Sequence, residues 1–193
     1  MSTILDIIGA SVITGFLILM TISFTSRINS VTQDSLATEV TLNSASNTAQ
    51  IFEFYFYKIG SMTMSDIISV ADSDKIRFDG DIDEDGIVED FLLYNYTVDD
   101  WTYTENPNDS PVYSRTNSGD NNLVAVVTDF HLTYYDAMQN ELAYSILDTS
   151  QTLRNTIRSI KVFIKSESSF PVDSIYEAVV WERLISPRNL INN

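Results

Sequence analysis

The segment "DGDIDEDGIVED" sets Asp81, Asp83 and Asp85 at alternate positions and follows them with Gly86. This D-x-D-x-D-G spacing brings three carboxylates around one hard cation and uses the glycine for the tight turn. An EF-hand would add a bidentate Glu at the twelfth loop position counted from Asp81, and that position is Leu92. Two readings stay open: a calcium-binding β-turn loop, closed by a backbone carbonyl near Ile87 and by Glu89, or a solvated acidic turn without an ion. Nine acids between Asp72 and Asp90 repel one another strongly if no counterion is present. The cofactor expectation is therefore Ca2+, with Asp81, Asp83, Asp85 and Glu89 as its ligands and no other group.

Catalytic chemistry finds little footing, and no enzyme activity is expected. His131 is the only histidine, and strand alternation puts it on the face opposite Phe130 and Leu132, exposed to water. There is no G-x-S-x-G elbow and no phosphate-binding glycine loop. The lack of cysteine excludes disulfides, thiolate metal sites and Cys nucleophiles. Eleven Lys and Arg stand against 27 Asp and Glu, a formal charge of −16. Such a surface repels phosphate backbones and anionic headgroups, so nucleic acid is not an expected partner. The sequons at Asn95 and Asn108 carry meaning only in a glycosylating secretory pathway.

Asp6 raises a different question. It stands just ahead of residues 7–24, which hold no charged side chain, and as a helix that run would extend about 27 Å, close to the hydrocarbon thickness of a bilayer. No cationic n-region or small-x-small cleavage site marks a secretory signal, so the run reads as a transmembrane helix. By itself, Asp6 would be an acid at the bilayer edge favoured by the helix dipole.

The helical pattern continues beyond the apolar run. No Gly or Pro occurs from Phe16 to Ile59, and Ile28, Val31, Ser35, Thr38, Leu42, Ala45, Ala49, Phe52, Phe56 and Ile59 recur at steps of three and four. Gly60 is the expected stop. The small and polar stretch "TLNSASNTAQ" permits close packing, and "IFEFYFYKIG" supplies bulk. Residues 1–27 thus read as a transmembrane or filament-core helix and 28–60 as its amphipathic extension. Residues 61–193 form the antiparallel β domain of an α+β fold, with the helix as the spine on which the sheet lies.

Within that domain, "SMTMSDIISVADSD" looks helical. "KIRFDGD" and "VEDFLLYNYTV" alternate around an Asp-Gly turn, the pattern of a β-hairpin. "TENPNDSPVYSRTNSGDNN" reads as a long surface loop with one short strand. "LVAVVTDFHLTYYD" reads as one strand with Val124, Val126, Phe130, Leu132 and Tyr134 on one face. "IRSIKVFIKSES" and "IYEAVVWERLI" supply two further strands.

Taken in order, the apolar helix with its early carboxylate, the extension ending "FYKIGSM", the acidic hairpin "IRFDGDIDEDGIVEDFLLYNY", "VTDFHLTYYDAMQNEL", "IRSIKVFIKSES" and the terminal "ISPRNL" resemble a type IV pilin-like protein. The similarity is closest to minor pilins and the J-type minor pseudopilins of type II secretion. It implies a structural subunit made as a single-pass protein of the inner membrane. An assembly ATPase and a membrane platform protein would then extract it into a periplasmic or extracellular filament. Its partners would be other copies or other pilin-like subunits, bundled through their N-terminal helices. In such a bundle the early carboxylate neutralises the amino terminus of a neighbouring subunit, and Asp6 is the residue positioned for that interface role. An unpaired charge there costs several kcal/mol, roughly, so pairing would set the register between subunits.

Three features depart from the family pattern. Family precursors carry a basic leader ending in Gly. Here the sequence opens at Met1, either as the first mature residue or as the start of translation. The acid is Asp where the family usually has Glu, and the apolar helix lacks a frequent Pro. The alternative to a filament subunit is a single-pass, membrane-anchored extracellular β domain that binds a ligand without polymerising.

Overall fold

A computed structural model describes residues 2–63, 65–96, 104–117, 119–171 and 174–191. Residues 97–103, which include the beginning of the long loop expected from Trp101, lie outside the described residues. Helix α1 (Ser2–Tyr57) is a single unbroken helix, as the absence of backbone breakers beyond Gly15 dictates. Its exit tightens: the N–H groups of Lys58 and Ile59 donate to Tyr55 and Phe56, three residues back. Gly60 then turns the chain at φ +71°, so the helix stops just short of the expected glycine.

From residue 3 to residue 36, α1 is exposed or half-exposed. Burial starts at Ala37 and continues through Thr41, Ala45, Thr48, Ala49, Phe52 and Phe56 to Ile59. The expected stripe therefore holds from Ala45 onward, whereas Ile28, Val31 and Leu42 are exposed and Ala37 and Thr41 take the inner positions. The sheets that pack on α1, rather than the spacing of apolar residues, set which residues of that stretch face inward.

The β domain contains two antiparallel sheets where one was expected. The first has the order β1-β2-β3-β4-β5, with β1 (Ile68–Ala71), β2 (Lys75–Gly80), β3 (Glu89–Asn95), β4 (Ser110–Thr116) and β5 (Asn122–Val127). The hairpin read from alternation is β2 and β3. Strand β1 replaces the helix expected in residues 61–74. Met62 and Asp66 adopt positive φ, which ends helical continuation, and Ile68 and Ala71 are buried along the edge of β2. Strand β4, expected as a short piece in a loop, is a full interior strand between β3 and β5.

The expected single strand from Leu123 to Asp136 also divides. After β5 the chain passes Thr128, whose N–H donates to Lys165 O at 2.8 Å, and enters β6 (Asp129–Tyr135) of the second sheet. That sheet has the order β7-β6-β8-β9, with β7 (Glu141–Leu142), β8 (Ser159–Glu167) and β9 (Ala178–Ile185). The switch reverses the side-chain parity. Ala125 and Val127 face the core before it and Phe130, Leu132 and Tyr134 after it, which leaves Val124 and Val126 half-buried.

Helix α1 lies against β9, β8 and β5. Ala45 and Ala49 form a groove with Val179, Val180 and Trp181, the close approach that small residues permit. Phe52 meets the Phe130 ring edge-on at 5.5 Å, and Tyr55 meets Phe91 at 4.6 Å. Arg183 of β9 pairs with Glu53 of α1. The two sheets are tied by Tyr134 Oη donating to Asp72 O at 3.0 Å and Leu132 N–H donating to Ser73 O at 2.8 Å. Short helices α2 (Tyr144–Leu147), α3 (Gln151–Arg154) and α4 (Arg188–Ile191) close the ends. Asn189 Nδ2 donates to Ile59 O at 3.1 Å beside the helix exit.

Candidate functional site

The β2–β3 ladder pairs Gly80 with Glu89, so the two strands hold residues 81–88 between them as a loop rather than a two-residue turn. Gly86, at φ +87°, makes the turn the sequence assigned to it. Its N–H donates to Asp81 Oδ2 at 3.1 Å, and the N–H of Ile82 donates to Glu89 Oε2 at 2.8 Å. Further round the loop, the N–H of Asp85 donates to Asp83 Oδ1 at 3.2 Å and that of Ile87 to Asp85 Oδ1 at 2.7 Å. The four expected ligands are thus brought together: one oxygen from each of Asp81, Asp83, Asp85 and Glu89 lies within 4.8 Å of the others. Asp81 and Glu89 are buried, at 7% exposure each, while Asp83 and Asp85 are exposed. Asp81 Oδ1 is buried without a hydrogen-bond partner.

Two features beside this loop went unread in the sequence. Lys58, at the exit of α1, reaches Glu84 Oε1 at 2.5 Å. No local spacing signals a pair so far apart in the chain. Gly80 passes so close to the helix exit that a Cβ on it would stand 2.4 Å from Lys58 O. A glycine inside a strand pattern often marks such an approach, and that signal was available. On the neighbouring ladder position Asp79 faces Asp90, and Arg77 Nε lies 2.9 Å from Asp90 Oδ1, an ion pair without hydrogen-bond alignment. Burial first, and the Asp90 charge second, hold the Asp79 carboxyl above its ordinary value, with Arg77 acting in the opposite direction.

Asp6 is at the other end of α1, roughly 75 Å from Tyr57 at about 1.5 Å per residue, so the two candidate sites are not parts of one centre. It is exposed, and the first turn of the helix holds no acid. The dipole effect fades beyond the first turn, which weakens that account of Asp6. No cation among the described residues pairs with it. Beside it and further along the helix, Leu5, Ile7, Phe16 and Met20 stand at 66–72% exposure. Helix α1 is long and apolar enough to cross a membrane, and its most apolar window has no residue buried within the chain. The hydroxyls of Ser11, Thr14 and Thr21 donate to the carbonyls of Ile7, Ala10 and Leu17 at 2.7–2.8 Å. These three hydroxyls within the apolar run are thus satisfied without water.

His131 is exposed on β6, where its Nε2 lies 2.8 Å from Asp129 Oδ1 and its ring stands 6.1 Å from Phe163. No family model, curated protein or solved structure matches the chain.

Proposed function

We propose that this chain is a structural subunit of a type IV pilus-like or type II secretion filament, held in the inner membrane by the first half of α1 and assembled through that same surface. The observation that carries the reading is the division of one continuous helix. Residues 3–36 contact nothing that buries them, while Phe52 and Phe56 of the same rod are wholly enclosed by the β domain. The uncharged stretch of that rod, residues 7–24, is stably covered only by lipid or by other apolar helices. Its unbroken run into the core means that a pull on the membrane half moves the β domain as one body.

Assembly exchanges lipid for neighbouring copies or other pilin-like subunits, driven by the ATPase and platform protein that the resemblance implies. The product is a periplasmic or extracellular filament. Asp6 supplies the register, because inside such a bundle its carboxylate accepts the charge of a neighbour's amino terminus.

The test compares wild type, Asp6→Ala and Asp6→Glu in the native host, measuring membrane content and content of sheared or detergent-resistant filaments. All three should insert equally. Asp6→Ala leaves a buried amine unpaired, a loss of about 3–5 kcal/mol, which corresponds to at least a hundredfold lower incorporation. Asp6→Glu should restore it. Wild-type incorporation of Asp6→Ala would remove the pairing role. A wild-type chain found only as a membrane-bound monomer would favour the non-polymerising anchored domain instead.

A further inference from the structure

We propose that the 81–89 loop binds one calcium ion and that the ion clamps the first sheet to the exit of α1. The argument begins with Asp81. Its side chain is more than nine-tenths buried, and Oδ1 has no hydrogen-bond partner. A buried carboxylate oxygen left unmatched is costly unless the group finds a proton or a cation. Glu89, equally buried, stands beside it.

The hydrogen bonds divide the carboxylate oxygens into two sets. Asp81 Oδ2, Asp83 Oδ1, Asp85 Oδ1 and Glu89 Oε2 each accept a backbone N–H. One oxygen on each side chain is left for another partner, and those side chains converge within 4.8 Å. Two oxygens on one calcium ion, each at about 2.3–2.6 Å, span the same distance. No Lys or Arg among the described residues forms an ion pair with any of the four, and the adjacent Lys58 is engaged by Glu84. The quartet therefore has no counterion among the described residues. Calcium suits it better than magnesium, since its shell of six to eight oxygens tolerates irregular geometry, whereas magnesium demands a near-ideal octahedron and retains its water. Backbone carbonyls and water would complete the shell.

The loop is also fastened to the helix. Gly60 N–H donates to Asp79 O at 2.9 Å and Asp81 N–H donates to Ser61 O at 3.2 Å, while Gly80 packs directly against Lys58 O. The first ligand is thus one residue from Gly80, where strand and helix exit approach closely. Ordering the loop orders that seam, which joins the first sheet to the helix exit, apart from the packing of α1 on β9, β8 and β5.

The experiment uses the full chain in detergent micelles, stripped with chelator and titrated with CaCl2 or MgCl2 at constant ionic strength. Calorimetry reads binding, thermal unfolding reads stability, and amide exchange reads residues 60, 61 and 81. One equivalent of calcium should bind with a dissociation constant on the order of 10⁻⁴ M. At ten times that concentration the midpoint should rise by about 3–6 °C, and the seam amides should exchange about tenfold more slowly where exchange follows the opening equilibrium. Magnesium should do less. Asp83→Asn and Asp85→Asn, both at exposed positions, should each weaken binding at least tenfold, whereas Glu84→Gln should retain it. Absence of calcium heat, or heat that persists in both Asn variants, would overturn the site. Calcium binding with unchanged exchange at the seam would overturn the clamp.

Discussion

Replacing Phe52 with Ala tests whether the second half of α1 is the spine of the β domain. Phe52 is fully buried and lies edge-on to Phe130. Truncating such a side chain costs about 3–5 kcal/mol, combining lost transfer energy with the cavity left in a core that cannot fully collapse. For a chain of this size about 1 kcal/mol moves the midpoint by roughly 2–4 °C, so Phe52→Ala should lower it by about 6–20 °C. Two neighbours serve as references. Phe54 is 48% exposed and touches Tyr55 and Lys58, so Phe54→Ala should cost no more than about 1 kcal/mol. Phe16 is 71% exposed on the apolar half, and Phe16→Ala should leave the unfolding of the β domain unchanged. The assay is thermal unfolding of the full chain in detergent, followed by near-ultraviolet circular dichroism. Equal shifts for Phe52→Ala and Phe54→Ala would refute the claim that one face of α1 carries the core.

Gly80→Ala should destabilise the domain by about 1–3 kcal/mol, because the new Cβ meets the backbone carbonyl of Lys58, which cannot rotate away. Chemical denaturation of the variant at or above wild-type stability would contradict the close contact. Asp79→Asn should stabilise the protein at pH 7 by about 0.5 kcal/mol, after screening, by removing a charge disfavoured first by burial and second by Asp90 opposite it. The folded-state pKa of Asp79 is raised. The stability this group contributes is therefore fully present below its unfolded value and is lost as pH rises through its folded value. The advantage of Asp79→Asn should shrink to nothing as pH falls through the carboxylate range, and a variant less stable than wild type at neutral pH would show that Asp79 is favourably paired.

The features legible in the sequence are those set by neighbours along the chain. Helix α1 follows from an uninterrupted run without Gly or Pro, the β2–β3 hairpin from alternation on both sides of an acidic turn, and the clustering of Asp81, Asp83 and Asp85 from a spacing only a few residues long. Glu89 was readable as a closing ligand, although its place depends on the ladder that sets it opposite Gly80. What escaped was decided by contacts between distant segments. Residues 68–71 became a strand because β2 offered an open edge and Ile68 and Ala71 could be buried along it. The apparent single strand through Thr128 divided because its halves complete different sheets, and each sheet dictates which parity faces inward. Ala37 and Thr41 displaced Thr38 and Leu42 because the phase of a helical stripe is set by whatever packs on it. Local sequence determines which backbone conformations are cheap, whereas the choice of buried face, the strand partners and the carbonyl that Gly80 must clear arise only when remote segments compete for the same core.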